Sequence, residues 1–84
     1  MISEIEVKDL GKAIGKYIIV YKQVGSVRVK QVAKVLSFNP GEKKIIYELV
    51  MGKEKGKKFE SKCDAATPVK VYEEEDLTVA LLEA

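Results

Sequence analysis

The sequence contains no histidine, no tryptophan and a single cysteine, Cys63, among its 84 residues. The absence of histidine excludes a Ser-His-Asp or Cys-His catalytic set and any imidazole metal site. One cysteine excludes an intramolecular disulfide and a zinc finger. Cys63 needs a lowered pKa to act as a nucleophile, and the charge of its neighbour Lys62 is balanced by Asp64. We therefore expect no enzymatic activity, no metal and no cofactor.

Two segments come close to known ligand-binding patterns, and each lacks a required feature. Residues 52–58 combine two glycines with lysines, as a phosphate-binding loop does. The segment is one residue short, however, and carries lysine where magnesium binding needs Ser or Thr. Residues 73–76 form an acidic run without the glycine that lets a cation-binding loop turn. The sequence predicts a basic loop and the acidic start of a helix instead.

Long apolar runs are also missing. The longest uninterrupted one is residues 17–21, whereas a membrane helix needs about 20 residues. The first residues lack the basic region and apolar run of a signal peptide. A single asparagine, two glutamines and many Lys and Glu are typical of heat-adapted proteins. We expect a cytoplasmic protein with no membrane partner.

The charge is distributed unevenly along the chain. Residues 10–62 carry 13 Lys or Arg against 4 Glu, a net charge of +9. Residues 1–9 carry a net charge of −2 and residues 63–84 a net charge of −5, so the whole chain sums to only +2. A basic centre between acidic ends favours RNA, DNA or an acidic protein as the partner.

A β-hairpin is predicted for the middle of the chain. Residues 27–38 and 43–51 are rich in β-branched and aromatic residues, and the turn at residues 39–42 contains Pro-Gly. The apolar positions in the first arm change from odd to even numbers part way along. A bulge or bend near residues 30–32 would accommodate this change.

The other segments predict short elements. Ser3 and Glu6 match a helix capping box, but residues 3–7 also alternate as a strand does, and both interpretations stay open. A helical turn is expected at residues 9–15, with Asp9 as N-cap, Leu10 and Ile14 on one face, and Gly15 at its end. The remaining predictions are strands at residues 16–22, 59–63 and 69–72, a connection at 64–68, and a helix at 73–84, for which a strand at 77–82 is the alternative.

Together these elements predict a mainly β fold. We expect a single domain, residues 1–84, built as a small SH3-like or PRC-type β-barrel of about five strands with a short C-terminal helix. Closing such a sheet into a barrel protects its edges. Residues 73–84 form the acidic C-terminal helix or tail of this domain.

Part of the chain resembles the PRC-barrel family. The resemblance is carried by Asp9-Leu10 and Ile14-Gly15-Lys16 before a strand, then by residues 32–40 and the return strand at 45–50. It spans roughly residues 9–72. The resemblance implies a small non-enzymatic barrel that self-associates or serves as an adaptor, for example in ribosomal RNA maturation. It transfers no binding residues.

Basic side chains in the hairpin and the following loop are the candidate nucleic-acid-binding residues. They are Arg28, Lys30, Lys34, Lys43, Lys44, Lys53, Lys55, Lys57, Lys58 and Lys62. Such a surface binds phosphates without sequence preference. Tyr21, Tyr47 or Tyr72 would add base stacking if exposed. The alternative is that the lysines are only a solvated surface.

A protein-interaction barrel is the alternative function. The stripe formed by Leu77, Ala80 and Leu81 is the candidate partner-binding surface, and a homodimer is one such assembly. The acidic segment 73–83 would then dock on the basic face of a second copy, or cover the basic face of its own chain.

Overall fold

The computed structural model describes residues 1–64 and 68–84. The strands are β1 (Ser3–Ile5), β2 (Tyr17–Val24), β3 (Val27–Asn39), β4 (Lys44–Leu49), β5 (Lys58–Lys62) and β6 (Val69–Val71). Two 3-10 helices span Val7–Ala13 and Glu74–Asp76, and the second leads directly into helix α1 (Leu77–Glu83). The predicted mainly β fold with a short C-terminal helix is confirmed. The predicted connection at 64–68 includes residues 65–67, which lie outside the described residues.

The strands form two antiparallel sheets. Four strands in the order β2-β3-β4-β5 curl into a half-barrel, while β1 pairs with β6. A bridge joins the two sheets: the Tyr17 amide donates to the Tyr72 carbonyl, and the Tyr72 amide donates to the Tyr17 carbonyl. β2 and β5 are the edge strands of the half-barrel, and β6 lies next to β2 only at this bridge.

Local turn chemistry fixes the β2–β3 and β3–β4 hairpins. Gly25 and Ser26 connect β2 to β3, and Gly25 has φ +61°, a conformation that glycine adopts without steric cost. In the turn from β3 to β4, the Asn39 Oδ1 accepts hydrogen bonds from the amides of Gly41 and Glu42, at 3.0 and 3.2 Å. The central hairpin is therefore confirmed, with its second strand shorter than the predicted residues 43–51.

The bulge in β3 lies further along the strand than predicted. Pairing between β2 and β3 is regular from Val27 to Lys34, so the predicted bulge near residues 30–32 is wrong. The register shifts between Val35 and Ser37 instead. This shift turns Phe38 towards the face that Val35 already occupies, because their partners Ile45 and Tyr47 are two residues apart on β4.

The first core fills the concave face of the half-barrel, hereafter the inner face. Val7, Leu10 and Ala13, spaced three residues apart on the first 3-10 helix, pack against Val35 and Ile45 there. The spacing matches the three residues per turn of this helix type.

The helical turn predicted at residues 9–15 is present as the 3-10 helix Val7–Ala13, but two of its predicted details are wrong. Ile14 is 50% exposed and does not share the buried face of Leu10, and Asp9 lies inside the helix rather than at its N-cap. Gly15 does adopt the left-handed region, with φ +86°, but in the turn after the helix, where the Lys16 amide donates a hydrogen bond to the Ala13 carbonyl.

The second core lies on the opposite, outer face of the sheet. Val32, Tyr72 and Ala80 are buried together there, with Leu77 packed against them. The C-terminal segment is thus a helix and not a strand, and it packs against the sheet of its own chain. Residues 3–5 form a strand, and the side chain of Glu6 makes no capping hydrogen bond.

Candidate functional site

Six of the ten basic candidates lie on strands, and all six project from the outer face. Cross-strand partners share a face in an antiparallel sheet, as do alternate residues along one strand. The register therefore places all six on the outer face, opposite the first core, and α1 covers the same face at Val32, between Lys30 and Lys34. They are Arg28, Lys30 and Lys34 on β3, Lys44 on β4, and Lys58 and Lys62 on β5.

Acidic residues interrupt this surface on β4 and β5. Glu48 is the cross-strand partner of both Lys34 and Lys58. The Lys44 Nζ lies 3.5 Å from the Glu60 Oε1 and 3.6 Å from the Glu42 Oε2. These contacts are exposed, and ion pairs of this kind contribute little stability. They nevertheless neutralise much of the charge on that part of the outer face.

The four loop candidates lie at opposite ends of the sheet. Lys53, Lys55 and Lys57 belong to the connection between β4 and β5, where Glu54 forms an ion pair with Lys22. Lys43 lies in the turn between β3 and β4 and adopts φ +55°. The predicted basic residues therefore form three separate groups. Lys43 lies at one end of the sheet, Lys53, Lys55 and Lys57 lie at the other end, and the six strand-borne cations lie between them.

A cleft of about 660 Å³ opens along the edge of β2. One wall is β2 itself, and the other is formed by the end of β5 and the start of β6. Its lining is polar and apolar in about equal measure, and the apolar part includes Val20 and Tyr47. The volume lies within the range of about 300–1,000 Å³ that is typical of ligand pockets.

Four cations line this cleft, two from each side. Arg28 and Lys30 come from β3, Lys62 from β5 and Lys70 from β6. Glu83 and Asp64 contribute the acidic side chains to the lining. The cleft thus combines a partly apolar lining with a predominantly basic rim, a combination that suits a ligand with both flat apolar parts and negative charges.

The three candidate stacking tyrosines have different surroundings. Tyr21 lies at the cleft and, at 56% exposed, is the most exposed of the three. Tyr72 is buried in the second core. Tyr47 is half-buried and stacks on its cross-strand partner Phe59, with ring centroids 5.9 Å apart, and burial raises its pKa.

Tyr21 lies among cations. Lys30 is its direct cross-strand partner, and the Arg28 guanidinium lies 4.7 Å from the centre of the Tyr21 ring. This cation–π contact orients the arginine on the sheet surface. The cross-strand partners of Arg28 and Lys30 are Gln23 and Tyr21, so neither cation directly opposes an acid across the strand pair.

The C-terminal end of α1 brings a carboxylate to the rim of the cleft. The Tyr72 hydroxyl donates a hydrogen bond to the Glu83 Oε2, and the Lys70 Nζ lies 3.4 Å from the same atom. The hydrogen bond from Tyr72, together with Lys70, lowers the pKa of Glu83. Hydrogen bonds to Tyr72 and Glu83 raise the pKa of Lys70.

The sequence did not identify Lys70 and Glu83 as site residues. Lys70 stands alone in the acidic C-terminal part of the chain, and Glu83 lies 13 residues further on. Only the packing of α1 brings the two together. The alternation of residues 69–72 predicted a strand, but nothing in it indicated that this strand borders β2.

The structure places the candidate partner-binding residues mostly inside the chain's own second core. Ala80 is fully buried, and Leu77 packs beside it. Of the three, Leu81 is the most exposed, at 40%. The helix stripe is therefore used largely for intramolecular packing.

The described residues offer little for metal or covalent chemistry. Within residues 1–64 and 68–84, no group of three or more His, Cys, Asp or Glu side chains is arranged to hold a metal ion. Cys63 is half-buried against the first core, and burial raises its pKa. In the same two ranges, no helix has the length and apolar character needed to cross a membrane.

The fold and the cleft together define a mainly β half-barrel with a basic, partly aromatic groove at its open edge. No family model, curated protein or solved structure matches this chain. A functional proposal therefore depends on the geometry of the residues described above.

Proposed function

We propose that this protein is a non-catalytic module that binds nucleic acid through its outer face, without sequence preference. The observation that supports the proposal best is the shared orientation of the six strand-borne cations on that face. Arg28 and Lys30 are its centre, because their cross-strand partners are not acidic.

Phosphate neutralisation is the expected source of affinity. Each Lys or Arg that contacts a phosphate releases a condensed counterion, so affinity falls as salt rises. Lysine predominates over arginine on this face, which suits non-specific contacts better than bidentate base recognition. The expected ligand is RNA or DNA of any sequence.

Fluorescence anisotropy with random-sequence RNA and DNA, measured at several salt concentrations, tests this function. We expect a linear decrease of the logarithm of affinity with the logarithm of salt concentration. In Lys30→Ala the slope should fall by about 0.7 to 0.9, which is the contribution of one phosphate contact. Lys12→Ala is the matched control, because it removes one exposed lysine from the first 3-10 helix, on the other side of the sheet.

Either of two results would overturn the proposal. One is the absence of binding to both nucleic acids at low salt. The other is an equal change of slope in Lys30→Ala and Lys12→Ala, because binding would then follow the overall charge of the protein and not the outer face.

Self-association is a second candidate function, favoured by a different surface. Val24, Val27 and Val29 are exposed on the inner-face side of the β2–β3 hairpin, beyond the first core. A dimer formed there would bury apolar area and tolerate salt. Charge reversal of Lys53, Lys55, Lys57 and Lys58 to Glu separates the candidates further. A valine-mediated dimer should persist in sedimentation velocity, whereas nucleic-acid affinity should fall.

A further inference from the structure

We infer that the cleft beside β2 takes single-stranded nucleic acid, with one base stacked on Tyr21 and the adjoining phosphates on Arg28 and Lys30. This inference rests on the proposed function and names the form of nucleic acid that the site recognises. It concerns the β2–β3 end of the outer face and not the loop lysines.

The spacing of the two cations fits an extended strand. Arg28 and Lys30 are alternate residues on β3 and point the same way, so they repeat at about 7 Å. Successive phosphates of an extended single strand are separated by a similar distance. Tyr21 lies directly across from Lys30, so a base between two such phosphates reaches the ring.

The ring is held in place for stacking. The Arg28 guanidinium lies over the Tyr21 ring at 4.7 Å, while more than half of the residue stays exposed. Stacking of a base on an aromatic ring or a guanidinium plane is tolerant of sequence, because every base has a flat face. The same contact therefore agrees with binding that lacks sequence preference.

The neighbouring cleft can accept a splayed base. The apolar part of its lining, which includes Val20 and Tyr47, favours the flat surface of a base over a phosphate, and its cationic rim adds Lys62 and Lys70. A duplex keeps its bases paired and stacked within the helix, so Tyr21 cannot reach a base face without unpairing. Preference for a single strand follows from this geometry.

Competition binding provides the first test. A labelled oligodeoxythymidine of about 12 nucleotides should be displaced by unlabelled single strand at least ten-fold more effectively than by duplex of equal length. Tyr21→Ala should weaken binding of the single strand about ten-fold, and Tyr21→Phe should keep it, because the ring and not the hydroxyl makes the contact. Binding to duplex should change little in either variant.

The lack of tryptophan in the chain allows a direct probe of the contact. In Tyr21→Trp, titration with oligodeoxythymidine should quench the indole fluorescence. Val24→Trp is the matched control, because Val24 is on the same hairpin and 54% exposed, but on the opposite face. Its fluorescence should stay nearly constant. Far-UV circular dichroism of each variant checks that the fold is retained.

The results separate this inference from the proposed function. The single-strand inference is overturned, while nucleic-acid binding stands, by the following combination of results. The protein binds single strand and duplex with equal affinity, Tyr21→Ala binds as tightly as the unchanged protein, and the fluorescence of Tyr21→Trp is not quenched. Absence of binding to any nucleic acid at low salt overturns both.

Discussion

Val32 and Ala33 are consecutive residues of β3, both fully buried, on opposite faces of the sheet. Val32 packs under α1 with Tyr72 and Ala80, whereas Ala33 lies on the inner face opposite its cross-strand partner Leu49. A strand that is covered on both sides needs apolar residues at successive positions. One strand therefore contributes to both faces of the protein and links the packing of α1 to the packing of the half-barrel.

Val32→Ala should destabilise the protein substantially. The substitution removes two methyl groups from a site with no solvent exposure, so transfer and cavity terms together should cost about 2 kcal/mol. Urea unfolding followed by circular dichroism measures the loss as a lower midpoint. The slope of the transition should stay unchanged, because the extent of the folded structure is the same.

Val27→Ala is the control for this prediction. Val27 is a valine of the same strand but is 59% exposed, so its truncation should cost less than about 0.5 kcal/mol. Equal losses in the two variants would contradict the assignment of Val32 to a second core.

Features set by local chemistry were predictable from the sequence. Pro40 and Gly41 identified the central turn, because both residue types favour turns. The Asn39 side chain fixes this turn by accepting a hydrogen bond from the Gly41 amide. The left-handed conformation of Gly15 was predicted for the same kind of reason. The mainly β fold and the terminal helix followed from residue types and periodicity.

Features set by tertiary contacts were not predictable. The change of apolar parity in β3 indicated a bulge near residues 30–32, whereas Val32 is apolar because α1 covers it from the other side, and the bulge that turns Phe38 inward lies between Val35 and Ser37. The exposure of Tyr21 and the burial of Tyr72 also depend on which strands become neighbours. The contact of Lys70 with Glu83 exists only once α1 has packed on the sheet.

Cys63 should react slowly with thiol reagents in the folded protein. The side chain packs against the first core, and burial raises its pKa above the ordinary value of 9.0, which lowers the thiolate fraction. Labelling with a chromogenic disulfide at about pH 8 should be several-fold slower than for the same chain unfolded in urea. Faster labelling of the folded protein would contradict this placement and point to an activated thiol.

Glu83→Gln should make the stability of the protein depend less steeply on pH in the acid range. The Tyr72 hydroxyl and Lys70 lower the pKa of Glu83 in the folded protein below its ordinary value of 4.5. A carboxyl group with a depressed folded-state pKa stabilises the protein fully at pH values above its unfolded-state pKa. This contribution is lost as the pH falls through the folded-state pKa. The unchanged protein should therefore lose stability more steeply below pH 4.5 than Glu83→Gln does.

Two variants separate the hydrogen bond from the charge. Tyr72→Phe keeps the buried ring but removes the donor, so the pKa of the Glu83 carboxyl, followed by carbon NMR, should rise towards 4.5. Glu74→Gln removes an exposed acid that lies outside the contact with Tyr72, and it controls for the change in net charge. If Tyr72→Phe left the pKa of Glu83 unchanged, the tyrosine hydroxyl would not be the cause. The position of α1 would then depend on the packing of Leu77 and Ala80 in the second core and on the ion pair of Glu83 with Lys70.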